Sequence, residues 1–209
     1  MGRMTLIRDE KWCYHVRGRV KGGEFFPAPR AVVWQRALEL LGECYRRFGI
    51  EVHAFVVMGN HFHLLVRTPT GNLDQVMHFF MRELALAIGG AGGLWEGRYK
   101  WSLINHISYY YQVYRYVLQN PLRAGLVKRV EEYPFSTLFE APPFPLMSRV
   151  ALDLGGEAAH LIWLNDPLSF EAALLVKRGL RHWEFSVNQK RLRLFESLRS
   201  PGLVKFDKN

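Results

Sequence analysis

The sequence predicts an α+β protein: an antiparallel sheet with helices packed on it, followed by a helical extension. Three observations lead there. Residues 13–20, 51–58, 61–68 and 99–104 are short, apolar and rich in β-formers, as strands are. Gly59-Asn60 separates the middle two by a two-residue hairpin signal. The intervening stretches repeat apolar residues at helical spacing, so the order is β-α-β-β-α-β-α before the composition changes near residue 140.

Taken in order, Cys13 to Val20 alternates loosely and Lys21-Gly22-Gly23 ends it. From Arg30 to Phe48, the residues Trp34, Leu38, Leu41, Tyr45 and Phe48 share one helical face, and Gly49 is the stop. Glu51–Met58 and His61–Thr68 form the hairpin. Asn72 is placed to cap a helix carrying Leu73, Val76, Met77, Phe80, Leu84 and Ile88. Residues 89–93, Gly-Gly-Ala-Gly-Gly, break the chain as a flexible hinge before a fourth strand over Tyr99–Ile104. Ser108 is the expected cap of a helix that runs to about Asn120, where Pro121 ends it. Residues 141–145, Ala-Pro-Pro-Phe-Pro, read as a linker between a domain of residues 1–140 and an extension of residues 141–209. In that extension Asp166-Pro167 begins a helix that Gly179 ends. No internal repeat is present.

With 49% hydrophobic and 22% charged residues in 209, the chain has material for a packed core. Its formal net charge of +9 favours an anionic partner, most simply nucleic acid. No apolar run reaches the roughly 18 residues of a membrane span. The N-terminus lacks a secretion-signal core. Cys13 and Cys44 have no CxxC spacing, so neither a disulfide framework nor a cysteine zinc site is expected. The expected location is the cytoplasm, associated with the nucleoid, with no membrane partner.

The chemistry gathers in two segments. In a strand, His61 and His63 point to one face. A two-residue loop pairs Met58 with His61 and Val56 with His63, which puts both histidines on the face of Val56, Met58 and Leu65. The same register pairs His53 with Val66 on the opposite face and excludes it from the site. Two imidazoles joined by the amide oxygen of Asn120 are too few donors for a structural zinc site. They suit an open site for Mg²⁺ or Mn²⁺ that substrate oxygens complete. Tyr116 lies one helical turn before Asn120, which singles it out as a nucleophile from Tyr109, Tyr110, Tyr111 and Tyr114. Basic and aromatic residues interleave from Trp95 to Trp101, and Arg98, Tyr99 and Lys100 there suit phosphate contact and base stacking. Within residues 177–193 of the extension, six more basic residues, Lys177, Arg178, Arg181, Lys190, Arg191 and Arg193, stand against the single acid Glu184.

Four motifs in order resemble the single-tyrosine HUH transposases, and most closely their REP-associated tyrosine transposase branch. Tyr14-His15-Val16-Arg17-Gly18-Arg19 resembles the family's first strand. Met58 to Val66 follows its Met-x-Asn-His-hydrophobic-His pattern, Trp95, Arg98, Tyr99 and Lys100 a Trp-x-x-Arg-Tyr-Lys pattern, and Tyr116 to Val127 a Tyr-x-x-x-Asn-Pro-x-Arg-Ala-Gly-Leu-Val pattern. Residues 133–137 resemble a further segment that commonly follows. The resemblance spans residues 11–139. It implies a ferredoxin-like or RRM-like sheet, His61, His63 and Asn120 as metal ligands, and Tyr116 as nucleophile. Arg19 of the first motif and Arg123 of the last join the expected DNA contacts. Asparagine at the third ligand position, where insertion-sequence relatives often carry glutamine, favours the REP-associated branch. Gly59 stands where proline or serine is more usual, and Leu122 where valine is common.

The resulting expectation is a metal-dependent single-strand DNA endonuclease and strand transferase. It would act on hairpin or palindromic DNA through a 5′-phosphotyrosine intermediate, as a monomer or homodimer. The alternative is a related protein that binds hairpin DNA without cutting it. A small-molecule metal hydrolase fits poorly, because the charge favours a polyanion and the site lacks a carboxylate base.

Overall fold

A computed structural model of the chain describes residues 6–90, 93–148 and 150–186. Its sheet comprises β1 (Cys13–Arg19), β2 (Glu51–Val57), β3 (His61–Arg67) and β4 (Lys100–Ile104). The strands lie in the order β2-β3-β1-β4, and every neighbouring pair is antiparallel. This is the ferredoxin-like order.

One face of the sheet is covered by α1 (Arg30–Phe48) and α2 (Leu73–Ala87). Their apolar faces, including Trp34, Leu38, Leu41, Met77, Phe80 and Leu84, meet Phe55, Phe62, Leu64 and Val66 from alternate sheet positions. Trp34 stacks on Phe55 with ring centroids 5.6 Å apart. Gly49 ends α1 at φ 64°, where its N–H reaches the Tyr45 carbonyl. Asn72 precedes α2 but does not cap it. Its amide donates to the Phe48 carbonyl at 3.2 Å and ties the start of α2 to the end of α1.

The opposite face carries the other half of the strand positions, Cys13, Ala54, Val56 and Leu65 among them, under α3 (Ile107–Leu118). The cap of α3 is the His106 side chain, which accepts from the Ser108 N–H; Ser108 lies inside the helix instead. Pro121 does not end helical structure. It sits in the first turn of a new short helix, α4 (Asn120–Arg123), where its missing N–H costs nothing.

The hairpin register is as expected for Val56↔His63, and the Met58 N–H reaches the His61 carbonyl at 2.8 Å. The expected pairing of His53 with Val66 fails. Val66 pairs with Val52, and the ladder shifts between Val52 and Ala54, leaving His53 as the extra residue of a bulge. The bulge turns His53 to the α3 side, where its ring meets the Tyr110 hydroxyl at 2.8 Å.

The proline-rich stretch at 141–145 is not a free linker. Phe144 is buried in the α1/α2-side core, Leu146 bridges Val52, and the Met147 N–H reaches the Val52 carbonyl at 2.9 Å. Beyond it come α5 (Val150–Asp153), α6 (Glu157–Asn165) and α7 (Phe170–Gly179). These share one apolar core with α3 through Val150, Trp163, Leu164, Ala172 and Val176. Asp166 does not begin α7; Ser169 caps it by accepting from the Ala172 N–H. Asp166 instead receives the buried Arg115 guanidinium at 2.7 Å. Among the described residues no helix is long and apolar enough to cross a membrane.

Candidate active site

His61 and His63 lie at one end of β3, with ring centroids 5.0 Å apart. Each is held by its Nδ1. His63 Nδ1 meets His15 Nε2 at 2.8 Å, and His61 Nδ1 meets the Asn60 side-chain oxygen at 2.7 Å. Each contact fixes its ring, and an Nε2 is free to bind a cation where the Nδ1 of the same ring carries the proton. The Asn60 oxygen can only accept, so His61 Nδ1 carries the proton.

Burial keeps these imidazoles neutral. It lowers His61 to about 4, helped by Arg17 and Arg19. It lowers His15 to about 3, helped by Arg17 and His61. It holds His63 well below the ordinary histidine value, with His15, His61, Arg17 and Arg123 adding to the effect. A neutral imidazole is the form that binds metal.

Tyr116 approaches from α3. Its ring stands perpendicular to that of His63 at 6.2 Å between centroids, and the Arg123 guanidinium lies over its face at 4.3 Å. The other tyrosines of the helix are committed elsewhere. Tyr110 contacts His53 and Ser148, Tyr111 donates to Asp153 at 2.6 Å, and Tyr114 meets His160 at 3.1 Å. Tyr109 packs on Phe185. Tyr116 therefore combines closeness to the histidines with a hydroxyl that takes no hydrogen bond among the described residues.

Asn120 follows one turn later. Its amide nitrogen donates to the carbonyls of Tyr116 at 2.8 Å and Val117 at 3.3 Å. Those partners identify the nitrogen end and leave the oxygen uncommitted. Two imidazole nitrogens and one amide oxygen are donor types that could hold a divalent ion only weakly, with open positions for substrate oxygens. Among the described residues no group of three or more His, Cys, Asp and Glu side chains converges. The surrounding guanidiniums oppose a bare cation, so a phosphate would have to accompany it.

The expected DNA contacts divide by position. In the β1 ladders Arg19 pairs with His61, and Arg17 pairs with both His63 and Lys100. Paired residues share a face, so these cations stand beside the histidines. Arg98 and Arg123 are exposed. Tyr99 is corrected: its ring is buried in the α1/α2-side core with Arg98 over it, so it offers no free face for a base. Lys177, Arg178 and Arg181 are exposed at and just beyond the end of α7. Lys190, Arg191 and Arg193 lie outside the described residues.

Two site residues were not singled out from the sequence. His15 orients His63, and Arg17 sits half-buried beside the histidines, where it also feels the Tyr116 phenol. The available signal was their spacing: two apart on a strand, they share one face as His61 and His63 do.

The chain is similar to known proteins in sequence and in fold. Over 90 residues the chain is 32% identical to a REP-associated tyrosine transposase of Escherichia coli (strain K12). That stretch is 42% of this chain and 53% of the relative, so the match spans about half of the relative's length. The fold is similar to a solved REP-associated tyrosine transposase bound to a REP hairpin, with a TM-score of 0.56 at 20% identity. The likeness covers 66% of this chain and 82% of that one. No protein-family profile matches the chain. The resemblance to REP-associated tyrosine transposases seen in the motifs thus holds in both sequence and fold.

Proposed function

We propose that the protein cuts and rejoins single-stranded DNA beside a hairpin, with Tyr116 as nucleophile. The observation that carries this reading is Tyr116, its hydroxyl uncommitted among the described residues, standing against the neutral His63 imidazole with the Arg123 guanidinium over its ring. The named relatives support a DNA partner.

In the proposed reaction the Tyr116 phenolic oxygen gives up its proton and attacks phosphorus. The O–P bond forms as the P–O3′ bond breaks, and the 3′ oxygen leaves with the electron pair and takes up a proton. The 5′ end is then held as a phosphotyrosine ester, and attack by another 3′ hydroxyl reverses the step. Arg17 and Arg123 would hold the non-bridging phosphate oxygens and their developing charge. His61, His63 and Asn120 would hold Mg²⁺ or Mn²⁺, which when bound polarises the scissile phosphate. His15 would hold the His63 ring through Nδ1 and, by accepting the Nδ1 proton at its own Nε2, would leave His63 Nε2 free to bind the ion.

The test is a hairpin oligonucleotide with labelled single-stranded flanks, incubated with the protein and Mg²⁺ or Mn²⁺. A denaturation-resistant protein–DNA adduct and a free 3′ end are expected from the wild type. Tyr116→Phe should bind the hairpin within about threefold of wild type and form no adduct. Hairpin binding without adduct or cleavage by the wild type would instead establish the alternative, a non-cutting hairpin-binding protein.

A further inference from the structure

We propose that Phe25 is a platform on which the protein stacks an unpaired base of its DNA strand, next to the phosphate that Tyr116 attacks; the proposal rests on the DNA-processing reading above. Phe25 is 77% exposed, although it lies in a loop held firmly against the active-site hairpin. The Val20 N–H reaches the Asn60 carbonyl at 2.9 Å, and the Phe26 N–H reaches the Gly59 carbonyl at 3.1 Å. The Asn60 amide donates to the Gly23 carbonyl at 2.7 Å. The oxygen of that same Asn60 side chain holds His61, so one residue joins the Phe25 loop to the imidazole.

A solitary exposed aromatic is ordinary on a protein surface. This one differs in its surroundings. It lines a cleft of about 380 Å³ between the 20–27 loop and Leu94, a volume in the range of small-ligand sites. Lys21 stands in the same lining, and Arg19 and Arg30 lie alongside the loop. Glu24, the acidic residue of the lining, can accept from the amino edge of a base. An aromatic face among cations is the arrangement that holds single strands, because every base has a face to stack and every nucleotide a phosphate.

Gly59 supports the same assignment. It is not one of the glycines with positive φ, so its backbone does not require glycine. The close approach of Phe25 uses the space instead: a Cβ there would stand 2.9 Å and 3.0 Å from two atoms of the exposed ring, which would have to shift. A side chain at position 59 would displace the ring from where it stands. The glycine and the exposed phenylalanine are thus matched to each other in this chain.

The experiment uses the full chain and a foldback hairpin with short single-stranded flanks, in which each flank base in turn is replaced by fluorescent 2-aminopurine. The wild type should quench fluorescence at one or two flank positions. Phe25→Ala should restore it there and weaken binding of the flanked hairpin by roughly 5- to 100-fold. It should leave the melting temperature and the affinity for a flankless hairpin unchanged. Phe25→Trp should retain quenching. If Phe25→Ala, folded by its melting curve, bound and quenched as wild type does, the platform would be refuted. If the wild type bound no hairpin even at low salt, the DNA-processing reading itself would fall and the platform with it.

Discussion

At the scale of single residues, the tyrosines of α3 separate into Tyr116, the proposed nucleophile, and several whose side chains are engaged elsewhere. Tyr111 and Tyr114 each spend their hydroxyl on a partner, Asp153 and His160. Tyr111→Phe should therefore lower stability by about 1 kcal/mol and leave adduct formation intact, checked by urea denaturation beside the hairpin assay. Tyr116→Phe should do the reverse, because its hydroxyl takes no hydrogen bond among the described residues. A surviving adduct in that variant would move the nucleophile to a neighbouring tyrosine. His15→Phe tests the arrangement behind His63: metal-dependent activity should fall about 10- to 100-fold, with more metal needed to restore it. The buried histidines also set a pH dependence. His53 is lowered to about 4, by burial first, while an unfolded chain titrates near 6.5. Between those values only the unfolded chain takes up the proton. Stability is thus full above pH 6.5 and falls as the pH drops toward 4, by up to about 1.4 kcal/mol per pH unit for each such group. Denaturant midpoints measured from pH 7.5 to 4.5 should show that decline, and a flat profile would mean that the rings are solvated.

At the scale of elements, the helix bearing Tyr116 is clamped from both sides. Its sheet-facing side meets Val56 and Leu65, while Arg115 and Gln119 face the extension. The Gln119 amide donates to the carbonyls of Leu164 at 2.7 Å and Asp166 at 2.8 Å, and its oxygen accepts from the Leu168 N–H at 3.1 Å. Gln119→Leu leaves those buried groups unpaired and should cost about 1–3 kcal/mol. Because Gln119 adjoins Asn120 and lies one turn from Tyr116, cleavage of saturating hairpin DNA should slow as well. Reduced stability with unchanged cleavage would show that the clamp serves folding alone. The ends of the elements were the least legible part of the sequence. Asn72, Ser108 and Asp166 are all able to cap, yet none does so, and two of them, Asn72 and Asp166, are taken by distant partners, Phe48 and Arg115. The His53 bulge was hidden for the same reason: its partner Tyr110 is 57 residues away.

At the scale of the whole molecule, charge and packing give the extension two roles. Its inner side shares a core with α3, and at its end the Leu103 N–H reaches the Trp183 carbonyl while the Phe185 N–H reaches the Leu103 carbonyl at 2.8 Å, beside the edge of β4. Deleting residues from 177 onward would therefore remove packing together with charge. Substituting Lys177, Arg178 and Arg181 by glutamine removes charge alone. The plot of log affinity against log salt should flatten by about 0.7–0.9 for each phosphate that is no longer neutralised, with adduct formation at saturating DNA unchanged. An unchanged slope in the folded variant would assign that surface to something other than DNA.

The succession of strands and helices and the hairpin register near the histidines were determined by the sequence alone, whereas the grouping of His61 and His63 with Tyr116 was implied by the family resemblance. They follow from periods of two and three to four residues and from short motifs, which are properties of neighbouring positions. Tertiary structure alone decided that His15 supports His63, that Arg17 faces Tyr116, that Tyr99 is buried, and that Phe25 lies over Gly59. It also decided that the proline-rich stretch runs along β2 rather than linking two bodies. Each of these depends on two segments far apart in the chain competing for one space or one hydrogen bond, and no local pattern records which of them wins.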